Sequence, residues 1–286
     1  MTRVAYVNGA YVPHALASVH IEDRGYQFAD AIYEVCLVVG GRYWDLADHL
    51  ARMRRSLNAI EIDFTMTDAA LKAVLREILR RNRLSDALVY FQISRGVAAR
   101  NHPFPDSPVP PSLIVTTRRF NLNDSDQLAE TGMRVISQPD TRWGRVDIKT
   151  VGLLPNVLAK QAAKRAGAGE AWLLREDDRV TEGCSSNAWI VTDDGSLITH
   201  PKTNEILGGV TRETVLACAR DLQIPIQETP FTVKDVKGAR EAFVSSATGL
   251  VMPVVKIDAA TIGDGAPGSV TLKLREAYKK RAIQGA

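Results

Sequence analysis

A lysine standing alone among apolar residues is the first feature with chemical content. In Val146-Asp147-Ile148-Lys149-Thr150-Val151-Gly152-Leu153-Leu154 one ammonium is flanked by aliphatic side chains just ahead of an expected helix, which reads as a buried position. Burial disfavours the charged amine and is tolerated when that amine is paired, neutralised or used as a nucleophile toward a carbonyl. By composition alone a solvated lysine is the competing reading. Downstream, Val180-Thr181-Glu182-Gly183-Cys184-Ser185-Ser186-Asn187 sets one acid in a run of small residues ahead of an apolar strand. Small residues let a flat ligand approach the backbone and Glu182 could anchor a cationic heterocycle; the alternative is a surface turn with Glu182 in solvent. Leu207-Gly208-Gly209-Val210-Thr211-Arg212 then forms a glycine-rich entry into a helix whose first N–H groups could hold a phosphate.

Taken in order, these pieces resemble the fold-type IV pyridoxal-phosphate aminotransferases, from Tyr6-Val7-Asn8-Gly9 to about Val255. The stretches that carry the resemblance are Ile21-Glu22-Asp23-Arg24-Gly25-Tyr26-Gln27-Phe28-Ala29-Asp30, Asp147-Ile148-Lys149 and Thr181-Glu182-Gly183-x-Ser185-Ser186-Asn187. The branch it resembles best is the D-amino-acid aminotransferases. The resemblance implies pyridoxal 5′-phosphate as cofactor, Lys149 as the Schiff-base lysine and proton shuttle, and Glu182 as partner of the pyridine nitrogen. It further implies Arg52, in His49-Leu50-x-Arg52, as a phosphate ligand, Val210, Thr211, Ser246 and Thr248 as further phosphate contacts, and Leu207 packed on the ring. Ala247 stands where that branch usually has a hydroxyl, and Cys184 replaces a frequent serine and is read as structural. Arg95-Gly96-x-x-x-Arg100-Asn101-His102 resembles the element with which a neighbouring subunit, together with Tyr33, holds the substrate α-carboxylate. From the residues alone, Arg100 and His102 read as exposed loop positions, and their place in a substrate site comes from the resemblance.

These residues must be positioned by elements that the sequence also announces. Tyr33 to Val39 reads as an apolar strand closed by Gly40-Gly41. Leu46, Leu50, Met53, Leu57 and Ile60 form the one-sided stripe of a helix, and a second helix is expected from Thr67-Asp68 through Leu79 to the basic end Arg80-Arg81-Asn82-Arg83. Strands are expected at 88–94 and 113–117, with a proline-rich excursion between them. The polar run 122–128 is the expected linker between an N-terminal domain, 1–121, and a larger cofactor-binding domain, 129–286, with the cofactor in the cleft between them. A helix over 156–166, a strand at 171–174, a hairpin through Asp194-Gly195, a helix from Thr211 and a strand over 241–246 complete an irregular alternation. That pattern favours α+β, with two α/β domains, over a doubly wound sheet.

Composition agrees with a compact globular protein. Of 286 residues, 45% are hydrophobic and 24% charged, and the formal charge of +3 is too balanced for a nucleic-acid-binding surface. No apolar run suits a membrane span, the N-terminus lacks a signal-peptide core, and Cys36, Cys184 and Cys218 form no metal or disulfide motif, so a cytoplasmic, metal-free protein is expected. The resemblance implies a homodimer with shared active sites that transfers the amino group of a D-amino acid such as D-alanine to a 2-oxo acid such as 2-oxoglutarate. The rivals are a branched-chain L-amino-acid or (R)-amine transaminase of the same fold, or aminodeoxychorismate lyase.

Overall fold

The structure, a computed structural model, describes residues 3–284. Packing divides the chain into two units, one running to Asn121 and joined by Ile148–Gly152, the other formed by Leu122–Asp147 and the chain from Leu153 onward.

The first unit contains β1 (Val4–Val7), β2 (Ala10–Pro13), α1 (Arg24–Phe28), β3 (Ala31–Val39), β4 (Arg42–Tyr43), α2 (Leu46–Ala59), α3 (Asp68–Asn82), β5 (Ala87–Ser94) and β6 (Ser112–Arg119). Its six strands pair antiparallel throughout in the order β2-β1-β6-β5-β3-β4. Along β3 the two-residue period turns Ile32, Glu34, Cys36 and Val38 inward while Tyr33 and Val35 stay half-buried. Gly40 and Gly41, both at positive φ, make the turn into β4 that bulkier residues would strain. Helices α2 and α3 bury Leu50, Met53, Leu57, Leu71, Leu75 and Ile78 in a single core with β3 and β5, and Ile148 joins it. Thr67 caps α3 by accepting the Ala70 N–H at 3.2 Å, and Arg80 and Arg81 lie in its last turn.

The second unit contains α4 (Leu122–Thr131), β7 (Met133–Pro139), α5 (Leu154–Arg165), β8 (Glu170–Leu174), β9 (Arg179–Gly183), β10 (Asn187–Val191), β11 (Leu197–Thr199), α6 (Val210–Asp221), β12 (Ile226–Glu228), β13 (Phe231–Thr232), α7 (Val233–Lys237), β14 (Glu241–Ser246), β15 (Leu250–Ile257), β16 (Ala260–Thr261) and α8 (Ser269–Gln284). Its sheet is mixed, in the order β12-β11-β10-β14-β15-β7-β8-β9-β13, with β16 on β15. Strand β7 runs parallel to β8 and β15, and β11 runs parallel to β12. The hairpin expected through Gly195 is the β10–β11 pair. Trp172, Val180, Ile190 and Val244 lie in the core of this unit.

The run 122–128, expected as a bare linker, lies instead within α4. Its polar face is tied down, because Asp126 accepts from Arg275 at 2.8 Å and Lys279 at 3.1 Å, both on α8, while Ala129 enters the core. A helix anchored by one small apolar residue and ion pairs has no stripe to read in sequence. Among the described residues no helix is long and apolar enough to cross a membrane.

The loop from β5 to β6 turns at Gly96, whose φ of +107° and close approach to the Pro110 carbonyl leave no room for a β-carbon. Gly96→Ala is expected to cost about 2 kcal/mol or more, through a forbidden conformation and a backbone collision. Urea denaturation of the purified variant checks this; an unchanged midpoint would contradict it.

Candidate active site

Lys149 owes its place to the main chain. The Tyr33 N–H donates to the Lys149 carbonyl at 3.1 Å and the Val151 N–H to the Ala31 carbonyl at 3.1 Å, so residues 149–151 lie antiparallel beside the start of β3. The Lys149 N–H adds a long bond of 3.4 Å to Ser56 Oγ on α2. The side chain is half-buried, not buried as its apolar neighbours implied, because Ile148 takes the inward position. Its Nζ lies 4.2 Å from the centre of the Tyr33 ring and has no hydrogen-bond partner among the described residues. Tyr33 stacks in turn on Tyr90, centroids 5.6 Å apart. An amine held against an aromatic face with no acid beside it suits attack on a carbonyl better than a structural ion pair.

Arg52 is buried in the same unit and pairs with a residue the sequence reading missed. Its Nε and Nη2 donate to the two oxygens of Glu34 at 2.8 and 2.7 Å, and His49 Nδ1 lies 2.8 Å from Glu34 Oε2. Burial works against the Glu34 charge, but Arg52 and His49 outweigh it and hold the carboxyl well below the ordinary carboxylate range. Glu34 thus fixes the plane of the guanidinium. A signal for it was present: an acid at an inward-facing register of β3, between Ile32 and Cys36, must find a partner.

Arg100 and His102 are exposed, on the loop between β5 and β6, and neither side chain is tied to an acceptor among the described residues. Both lie against Phe28, with the Arg100 guanidinium carbon 5.0 Å from the ring centre and the His102 ring 5.5 Å away.

In the second unit Glu182 sits on β9, buried, not in solvent. Arg142 Nη1 donates to its Oε1, Asn187 Nδ2 to its Oε2 at 2.9 Å, and the Leu207 N–H bridges both oxygens at 3.1 and 3.2 Å. Arg142 is itself oriented by Asp140, which accepts from Nε at 2.9 Å and from Nη2 at 2.8 Å, and Thr181 Oγ1 also donates to Asp140 at 2.8 Å. Burial raises the Glu182 carboxyl above its ordinary range, with Arg142 and the Leu207 N–H opposing the rise only in part. A further cation beside this carboxyl would therefore be well received. Arg142 and Asp140 were missed because Asp-x-Arg is a commonplace triplet whose importance arises only from the buried acid opposite.

Val210 and Thr211, both buried, open α6, and the helix N-cap Gly209 offers no side-chain cap to the first N–H groups. Leu207, half-buried, enters through the bond of its N–H to Glu182. Ser246 ends β14 and accepts the Gly249 N–H at 3.0 Å, which leaves its own proton for donation; Thr248 is exposed on the same turn. Cys184 is buried against Glu170, and burial together with that carboxylate pushes its thiol up to about 12, so it is no nucleophile.

The family model for class IV aminotransferases matches residues 31–257. A D-alanine aminotransferase from Staphylococcus haemolyticus is 40% identical over 280 residues, covering 98% of each chain. Another, from Bacillus licheniformis, is 38% identical over 276 residues, 96% of each chain. Among solved structures, a T.th. branched-chain amino acid aminotransferase with pyridoxamine 5′-phosphate superposes with a TM-score of 0.89 at 26% identity, over 100% of this chain and 96% of that one. The Escherichia coli branched-chain enzyme, at 22% identity and a TM-score of 0.90, covering 99% and 95%, shares the fold. With matches of this extent, the chain belongs to the class IV aminotransferases.

Proposed function

We propose that the protein is a pyridoxal-phosphate-dependent transaminase that moves the amino group of D-amino acids, D-alanine among them, to 2-oxo acids such as 2-oxoglutarate. The observation that carries the chemistry is Lys149, an amine without a hydrogen-bond partner among the described residues, held on the Tyr33 ring by backbone pairing. The D-specific reading is supported by relatives named D-alanine aminotransferase at 38–40% identity over nearly the whole chain. The two branched-chain enzymes compared above stand at 26% and 22%.

The donor set fits the cofactor. Glu182 would face the pyridine nitrogen, Leu207 the ring, and Arg52, Val210, Thr211, Ser246 and Thr248 the phosphate, with the uncapped start of α6 supplying N–H groups. When bound, pyridoxal phosphate supplies an aldehyde that takes up the substrate amine and a ring that draws electrons from the substrate Cα. Glu182, kept in register by Arg142 and Asn187, would hold a proton on the ring nitrogen. Lys149 would be the group that takes a proton from the substrate Cα and later returns one, within a ping-pong cycle. Tyr33, Arg100 and His102 orient the substrate through its α-carboxylate, for which an arginine fork is well shaped.

The same reading includes a homodimer with shared sites. It is supported by α5, which presents Leu154, Val157 and Leu158 at helical spacing with 68, 58 and 63% of their surfaces exposed, an apolar face that a second copy would cover. A cytoplasmic location is supported by Cys36, Cys184 and Cys218, which are buried and form no disulfide, in keeping with a reducing compartment.

Three outcomes test this reading. Borohydride reduction of the yellow holoenzyme, followed by peptide mapping, is expected to find the cofactor on Lys149 and to find none fixed in Lys149→Ala; label on Lys160 or Lys164 would refute the assignment. Glu182→Gln is expected to bind cofactor and yet lose roughly a hundredfold or more in kcat, the effect of removing one preorganised charge; stopped-flow half-reactions with D-alanine measure it. Arg100→Ala is expected to raise the KM for D-amino acids about ten- to hundredfold, the loss of a charge-assisted hydrogen bond, and to spare amines that lack a carboxylate. Equal losses for both substrate classes in steady-state assays would remove Arg100 from the substrate site.

A further inference from the structure

Arg24 is almost fully buried in the first unit, yet none of the chemistry above uses it. Its guanidinium makes three directed bonds: Nε to Asp30 at 2.8 Å, Nη1 to the carbonyl of Asn101 at 2.6 Å and Nη2 to the carbonyl of His102 at 3.2 Å. The backbone around it grips the same loop. The Arg24 N–H donates to the Gly96 carbonyl at 2.9 Å and the Ala98 N–H to the Glu22 carbonyl at 3.3 Å, while Ser94 Oγ donates to Asp23 at 2.9 Å. Asp30 is braced from a second direction by Arg95, whose Nε and Nη2 donate to it at 2.7 and 3.0 Å. Within the loop, Asn101 Oδ1 accepts the His102 N–H at 2.9 Å. Phe28, at the other end of α1, is the surface against which the Arg100 and His102 side chains rest, and the Arg24 guanidinium carbon lies 4.8 Å from the same ring.

A buried arginine that ends on two consecutive loop carbonyls acts on main-chain position. An exposed loop with two long polar side chains samples many arrangements, and each must be frozen when a ligand binds. Fixing the backbone at 101 and 102 beforehand, and giving both side chains one ring to lie on, removes much of that ordering from the binding step.

We propose that Arg24, together with Phe28, is a positioning residue for substrate recognition: it clamps the backbone at Asn101 and His102 so that Arg100 and His102 are presented in a binding-ready arrangement. The proposal rests on the reading of Arg100 and His102 as contacts of the substrate carboxylate. Arg24→Lys is the informative variant, because an ammonium keeps a cation beside Asp30 but lacks the planar fork that reaches two carbonyls as well. Phe28→Leu keeps apolar volume and the Asp30 pairing while removing the ring face, and it carries the same test should Arg24→Lys fail to fold.

The experiment combines amide hydrogen exchange of the holoenzyme with steady-state kinetics on D-alanine. In Arg24→Lys, exchange across residues 99–103 is expected to quicken about tenfold or more, and KM to rise about tenfold while kcat stays within about threefold. Placed in an Arg100→Ala background, the same change is expected to add less than about twofold to KM, since the two residues act through one element. Unchanged exchange at 99–103, or an equal rise of KM in the Arg100→Ala background, overturns the clamp while leaving the carboxylate reading intact. An unaltered KM in Arg100→Ala by itself refutes the carboxylate reading and removes the clamp's role in substrate binding with it.

Discussion

The backbone pairing that joins residues 149–151 to the first residues of β3 is the constraint on which the placement of the Lys149 amine depends. Strand β4 covers only the far end of β3, at Val38 and Val39, so the main chain around Ile32 has an open edge that needs a partner. The segment after Asp147 supplies it through the bonds at Tyr33 and Ala31, and Ile148 secures it by entering the core between sheet and helices. Lysine has a long and mobile stem. Its amine can be placed reproducibly only if the Cα is fixed by something stiff and the stem lies along a surface, here the ring of Tyr33.

Arg52 and Glu182 are held by buried charge, in two networks that follow the same rule. Glu34 is offset by Arg52 and His49, and Glu182 by Arg142, which Asp140 orients in turn. Removing one member of such a pair leaves an uncompensated charge, at a cost of about 3–5 kcal/mol, so the networks are rigid even where their net contribution to stability is small. The two acids nevertheless differ. Glu34 is held firmly ionised, which suits a fixed support for Arg52. Glu182 lies above the ordinary carboxylate range because burial outweighs its donors, so it gains most from an additional cation. The difference sets a firmly ionised support carboxylate apart from one that an added cation would stabilise.

The elements themselves were largely legible. Apolar stripes in α2 and α3, the cap at Thr67, the glycine turn after β3 and the β10–β11 hairpin are local features, and residues close in sequence decide them. The segments around Lys149, Glu182 and Gly209 stood out as candidates as well, because a lone cation or acid in apolar or small-residue surroundings is unusual by type alone. Helix α4 was not. Its turns are stabilised by Arg275 and Lys279 on α8, about a hundred and fifty residues away in sequence, and nothing in its own polar composition reports them.

Sequence by itself determined the fold class and the family and singled out a candidate amine and acid, since each rests on residue type and short-range order. Tertiary structure alone decided the partners. It assigned Glu34 to Arg52, Arg142 to Glu182 and Arg24 to the carbonyls of Asn101 and His102. These pairings join positions from 18 to 78 residues apart, and a guanidinium finds its acceptor only when folding has removed water from both. A residue's chemical type is written in the chain, whereas its protonation, orientation and rigidity are set by the neighbours that burial brings to it.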